Sequence, residues 1–88
     1  MKVLGIDRYR DGGTDSIKTD EGEFCIDSRI GSPNRDKCVL FRGHPSNGNE
    51  IINQEELKKD LIESLESFKP TDQQGRLKYH ILDLLKIK

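Results

Sequence analysis

Apolar and polar positions change their period once along the chain, near residue 50. Before that point the period is close to two. In "KVLGIDRY", Leu4, Ile6 and Arg8 fall on one face and Val3, Gly5, Asp7 and Tyr9 on the other. "RDGGT" follows, and its Asp-Gly-Gly supplies the positive φ that a tight or bulged hairpin needs. "TDSIKT" reads as a second strand and "DEGE" as a second turn, with Gly22 at the strained position. "EFCIDS" is a third strand, with Phe24 and Ile26 on one face and Cys25 and Asp27 on the other. "CVLF", Cys38 to Phe41, is a fourth. Turns this short permit an antiparallel meander.

After residue 52 the period becomes helical. Asn53 with Glu56 predicts a capping box, and Glu55 and Glu56 suit the positive end of the helix dipole. Leu57, Leu61, Ile62, Leu65 and Phe68 recur on one face, with Lys58, Lys59, Asp60, Glu63 and Glu66 outside. Pro70 ends this helix. Thr71 with Gln74 predicts the cap of a second helix, which Gly75 weakens by about 1 kcal/mol relative to Ala. Leu77, Ile81, Leu84 and Leu85 form its stripe, while Tyr79, Leu82 and Ile87 lie off it. Either the sheet and first helix cover all of these, or the second face packs on another copy of the chain. A domain this small does not readily surround a terminal helix, so the second is expected, through Leu77, Tyr79, Ile81, Leu82 and Leu85. The fold class is therefore α+β: a small antiparallel β-meander of four strands, then two C-terminal helices packed on the sheet. Residues 1–88 read as a single domain, with a β-sheet half carrying the loops over 1–52 and a helical half over 53–88.

Length and charge narrow the function. Eighty-eight residues make one small domain with a thin stability margin. Apolar residues are 32% and charged residues 35% of the chain, polar for a globular protein, but a net charge of −1 and periodic apolar groups set it apart from disordered chains. No apolar run approaches a membrane span, and the N-terminus lacks a signal-peptide pattern, so a cytoplasmic protein is expected. Cys25 and Cys38 are then expected as reduced, structural thiols. Two Cys and two His show no zinc spacing, and neither a metal nor a cofactor is expected. A duplex nucleic-acid binder would carry a basic excess that is absent here.

The middle segment, "SRIGSPNRDKCVLFRGHPSNGNEII", carries the candidate chemistry. Five of the six Arg (Arg8, Arg10, Arg29, Arg35 and Arg42) precede the helices, which otherwise use Lys. Arg offers a planar fork of donors suited to phosphate, and Gly-containing turns add backbone amides. Tyr9, Phe41 or His44 could stand against a base. The alternative is that surface Arg on strand edges only discourages aggregation. No P-loop and no nucleophile elbow appears. Cys25 with His44 or His80 is the one nucleophile–base combination, and a strand Cys is more often a small apolar filler. Asp7, Asp15 and Asp27 could pair with nearby Arg. The chain is not expected to be an enzyme.

The run "GIDRYRDGGTDSIKTDEGEFCIDSRIGS", a loop, and then "IINQEELKKDLIESLESF" resembles the first Thoeris anti-defence family of phage proteins, over roughly residues 5–68. The resemblance implies a non-catalytic, oligomeric sponge. Such a protein sequesters cyclic ADP-ribose isomers made by bacterial TIR proteins, or cyclic oligonucleotides, in the host cytosol. The candidate ligand shell is Arg29, Arg42 and Arg8 for phosphate, with Asn34, Asn47 and Tyr9 for base or ribose. "RIGSPNRDK" and "RGHPSNGNE" are expected to form facing rims. The alternative is a protein-binding inhibitor or regulator, such as a phage inhibitor of a host nuclease complex, with no small ligand.

Overall fold

The computed structural model describes residues 1–11 and 13–87; Gly12, Lys88 and the side chain of Ile87 lie outside the described residues. Four strands, β1 (Val3–Arg8), β2 (Thr14–Thr19), β3 (Gly22–Asp27) and β4 (Leu40–Arg42), form one antiparallel sheet in the order β1-β2-β3-β4. Two helices follow, α1 (Gln54–Glu66) and α2 (Gly75–Ile87), and both pack on the sheet. The expected α+β class is what the chain adopts. Short 3-10 turns, Pro45–Asn47 and Asp72–Gln74, precede the two helices.

Cross-strand register assigns the faces, because paired residues point the same way. Ile6, Ile17 and Phe24 align across three strands, and Asp15, Ile26 and Leu40 across another three. These apolar residues meet Leu61 and Leu65 of α1 and Ile81, Leu82 and Leu85 of α2 in one core. The opposite face carries Thr14, Ser16, Cys25, Asp27 and Phe41, all buried.

Four local expectations change. Leu4 does not share a face with Ile6. The register shifts between Val3 and Gly5, and this bulge brings Val3 into the core and turns Leu4 outward. Lys58 is buried rather than outer, since positions 58, 61 and 65 share one helical stripe and its stem lies along the core side. Asn53 precedes α1 without a side-chain cap bond, and Thr71 makes none at the second helix. Leu82 lies in the core rather than on an outer face. With it, Ile81 and Leu85 are enclosed by their own chain, so they are not available to meet another copy. Of the five side chains expected at such a contact, Leu77 is half-buried and Tyr79 is 67% exposed.

Two glutamines close the sheet edges. Gln54 Oε1 accepts from the Leu40 amide at 2.9 Å, and its Nε2 donates to the Leu40 and Ile51 carbonyls at 2.9 and 2.7 Å. Gln74, expected to cap its own helix, instead donates to the Ile6 carbonyl at 2.8 Å on the β1 edge. Also on β1, the Arg8 amide donates to Asp7 Oδ1, and just before the strand Ser64 Oγ donates to the Met1 carbonyl. These bonds engage part of the outward backbone that could otherwise recruit another strand.

Candidate functional site

The loops after β1, β3 and β4 converge on the sheet face opposite the helices. Asp27, at the end of β3 and 1% exposed, organises the middle loop. Its Oδ1 accepts from Arg29 Nε at 2.9 Å and the Arg29 amide at 3.3 Å; its Oδ2 accepts from Arg29 Nη2 at 3.2 Å, Ser32 Oγ at 2.7 Å and Asn34 Nδ2 at 3.4 Å. The Arg29 bonds first, then those of Ser32 and Asn34, hold the Asp27 carboxyl well below the usual carboxylate range, against the effect of burial. Successive turns continue the loop, with Ser32, Arg35 and Lys37 amides donating to the Arg29, Ser32 and Asn34 carbonyls. The loop therefore presents Arg29, Asn34, Arg35 and Lys37 from a fixed base.

A second cluster adjoins it, because Thr14 pairs across the strands with Asp27. Asp11 accepts from the Gly13 and Thr14 amides and, at 2.7 Å, from Thr14 Oγ1. His44 Nδ1 accepts from the Ser46 amide, which leaves Nε2 to donate to Asp11 Oδ2 at 2.6 Å. Burial pushes the Asp11 carboxyl up, but the Thr14 and His44 bonds outweigh it and leave it below the usual range. The Tyr9 ring meets His44 edge to face, 4.8 Å between centroids. Tyr9 O–H donates to Glu23 Oε2 at 2.8 Å, and Ser16 Oγ donates to the same oxygen. That bond, with burial and the Glu23 charge, pushes the Tyr9 phenol up to about 12. Burial, then the Glu23 charge, pushes the Cys25 thiol up to about 12, so it is no thiolate nucleophile near neutral pH. Among the described residues, no group of three or more His, Cys, Asp and Glu is placed to hold a metal ion.

The six candidate residues divide between the two faces. Tyr9, Arg29, Asn34 and Asn47 belong to the loop-bearing side, where the Asn47 amide donates to the His44 carbonyl. Arg8 and Arg42 belong to the helix-facing side. Arg8 pairs with Asp15 in register, and its Nε lies 3.4 Å from Asp15 Oδ1. Arg42 aligns with Phe24, stacks 4.7 Å from that ring's centroid and donates to the Glu21 carbonyl at 3.0 Å. One subunit thus does not gather all three arginines round one ligand. Asp11, Glu23 and Ser32, which set the positions of His44, Tyr9 and the middle loop, were not singled out from the sequence. The short-range spacing of Asp27 with Arg29, Ser32 and Asn34 was the one available signal.

The hollow that Tyr9 and Arg8 share at the β1 edge is modest. A cleft of about 100 Å³ lies among Asp7, Arg8, Tyr9, Ser16, Lys18 and Glu23, enough for a small polar group and less than a nucleotide needs. The largest hollow, about 780 Å³, lies between the start of β1 and the end of α1. It contains none of the six candidates, and its lining carries Lys2 and Lys69 as well as Asp60 and Glu63. No helix among the described residues is long and apolar enough to cross a membrane. No protein-family model, curated protein or solved structure matches the chain.

Proposed function

We propose that the protein is a non-catalytic, cytoplasmic phage anti-defence protein that sequesters a small phosphorylated nucleotide-type signal, a cyclic ADP-ribose isomer or a cyclic oligonucleotide. The ligand class follows from the resemblance over residues 5–68. One observation supports this face as its site, the Asp27 cluster that fixes Arg29 and Asn34 next to the Asp11 cluster holding the Tyr9–His44 pair. Pre-set donors and an aromatic edge bind without losing side-chain freedom again on contact. The buried Cys25 thiol and the His44 ring already committed to Asp11 support capture over chemistry.

A thermal-shift screen against cyclic ADP-ribose isomers and cyclic di- and trinucleotides tests this, with each ligand recovered afterwards. A ligand at 100 times its Kd stabilises by about 2.7 kcal/mol, which raises Tm by roughly 10–20 °C in a domain this size. Arg29→Ala is expected to abolish the shift, with the ligand intact in both cases. Absence of any shift refutes the reading. The second reading is a protein-binding inhibitor, favoured by Ile30, which stands 77% exposed on the braced cationic loop. It predicts capture of a protein partner that Ile30→Asp weakens, and no nucleotide binding.

A further inference from the structure

Asp15 of β2 is 0% exposed on the helix-facing side of the sheet, and neither carboxylate oxygen accepts a hydrogen bond from a described residue. Arg8 and His80 flank it. Arg8 Nε of β1 stands 3.4 Å from Oδ1, and His80 Nε2 of α2 stands 3.4 Å from Oδ2. These are ion-pair distances without hydrogen-bond alignment. A buried carboxylate held this way is stable as an anion only while its counter-charges remain. Arg8 keeps its charge throughout the working range, whereas histidine as a residue type changes charge between pH 5 and 8.

We infer that Arg8, Asp15 and His80 form a proton-sensitive latch between the sheet and α2, engaged while His80 carries its proton and weakened when it gives the proton up. Asp11, in the β1–β2 turn, opposes the Asp15 charge. Ile26, the β3 neighbour of Asp15, is apolar, and along α2 Arg76 and Asp83 lie one turn to either side of His80. Burial raises the Asp15 carboxyl, and Arg8 and then His80 only partly pull it back. A carboxyl raised in the fold binds its proton more tightly than the unfolded chain does, so its contribution falls as pH rises above the ordinary carboxylate range. Loss of the His80 charge acts in the same direction. The other polar ties of α2 lie elsewhere, at Lys78 Nζ to the Phe68 carbonyl and Lys86 to Glu66, with Gln74 just ahead of the helix.

The test is amide hydrogen exchange of the full chain at pH 5.5 and 8.5, corrected for intrinsic rates. In the wild type, protection across α2 is expected to fall about three- to tenfold at the higher pH, the range a partly desolvated ion pair supports. His80→Gln should show lower protection than the wild type at pH 5.5 and a smaller fall with pH, the remainder being that of Asp15 itself. His80→Lys, a permanent cation, should keep the high protection at both. Asp15→Asn should remove the pH dependence. A pH-dependent loss of α2 protection that is undiminished in His80→Gln overturns the latch. So does a wild type with equal protection at both pH values. The two surface substitutions decide the matter even where Asp15→Asn fails to fold.

Discussion

Replacing Asp27 by Asn is the sharpest probe of the loop-bearing face. The carboxylate is buried and receives five hydrogen bonds from Arg29, Ser32 and Asn34. An amide keeps one acceptor oxygen and turns an NH₂ toward at least two of these donors, whichever way it is placed. Ser32 can rotate its hydroxyl to accept; the Asn34 amide and the Arg29 guanidinium cannot. Hydrogen bonds to a charged acceptor contribute about 1.5–3 kcal/mol each and neutral ones about 0.5–1.5, so the substitution should remove about 2–3 kcal/mol. In a domain this small that lowers Tm by roughly 10–20 °C. The pH profile carries a second signature. Asp27 is depressed in the fold, so its stabilisation is present above the ordinary carboxylate range and fades as pH falls through and below that range. Thermal unfolding of wild type and Asp27→Asn between pH 7 and pH 2 should therefore converge in acid. A variant that melts within about 2 °C of the wild type at pH 7, or a gap unchanged at pH 2, would refute the role assigned to this carboxylate.

Gln54→Ala should lower stability by about 2–3 kcal/mol, read by denaturant unfolding, because it removes three bonds that tie the start of α1 to Leu40 and Ile51. Gly13→Ala should prevent stable folding, read by circular dichroism. The new Cβ would stand 2.6 Å from the Ser28 carbonyl oxygen at a φ of +148°, and the contact is backbone that cannot swing aside.

Much of the architecture was legible because its causes are local. Glycine at the two hairpin turns, period-two strands and the change to helical spacing after residue 52 each follow from a few adjacent residues. The Asp27–Arg29 pair was also within reach, since a single residue separates the partners. The candidate shell was legible only in part. Arginine counts and loop composition pointed to Tyr9, Arg29, Asn34 and Asn47, which the fold does place on one side, but they joined to these Arg8 and Arg42, which it does not.

The sequence by itself determined the elements, their order and the antiparallel meander, because turn chemistry and hydrophobic period act over a few residues. The tertiary structure decided which way each strand faces. A bulge at Leu4 shifted the phase of β1, and the resulting register put Arg8 beside Asp15. Helix packing then drew Leu82 and the stem of Lys58 inward and brought His80 to a carboxylate sixty-five positions earlier in the chain. Such contacts depend on register and crossing geometry, which are properties of paired elements that no single segment encodes.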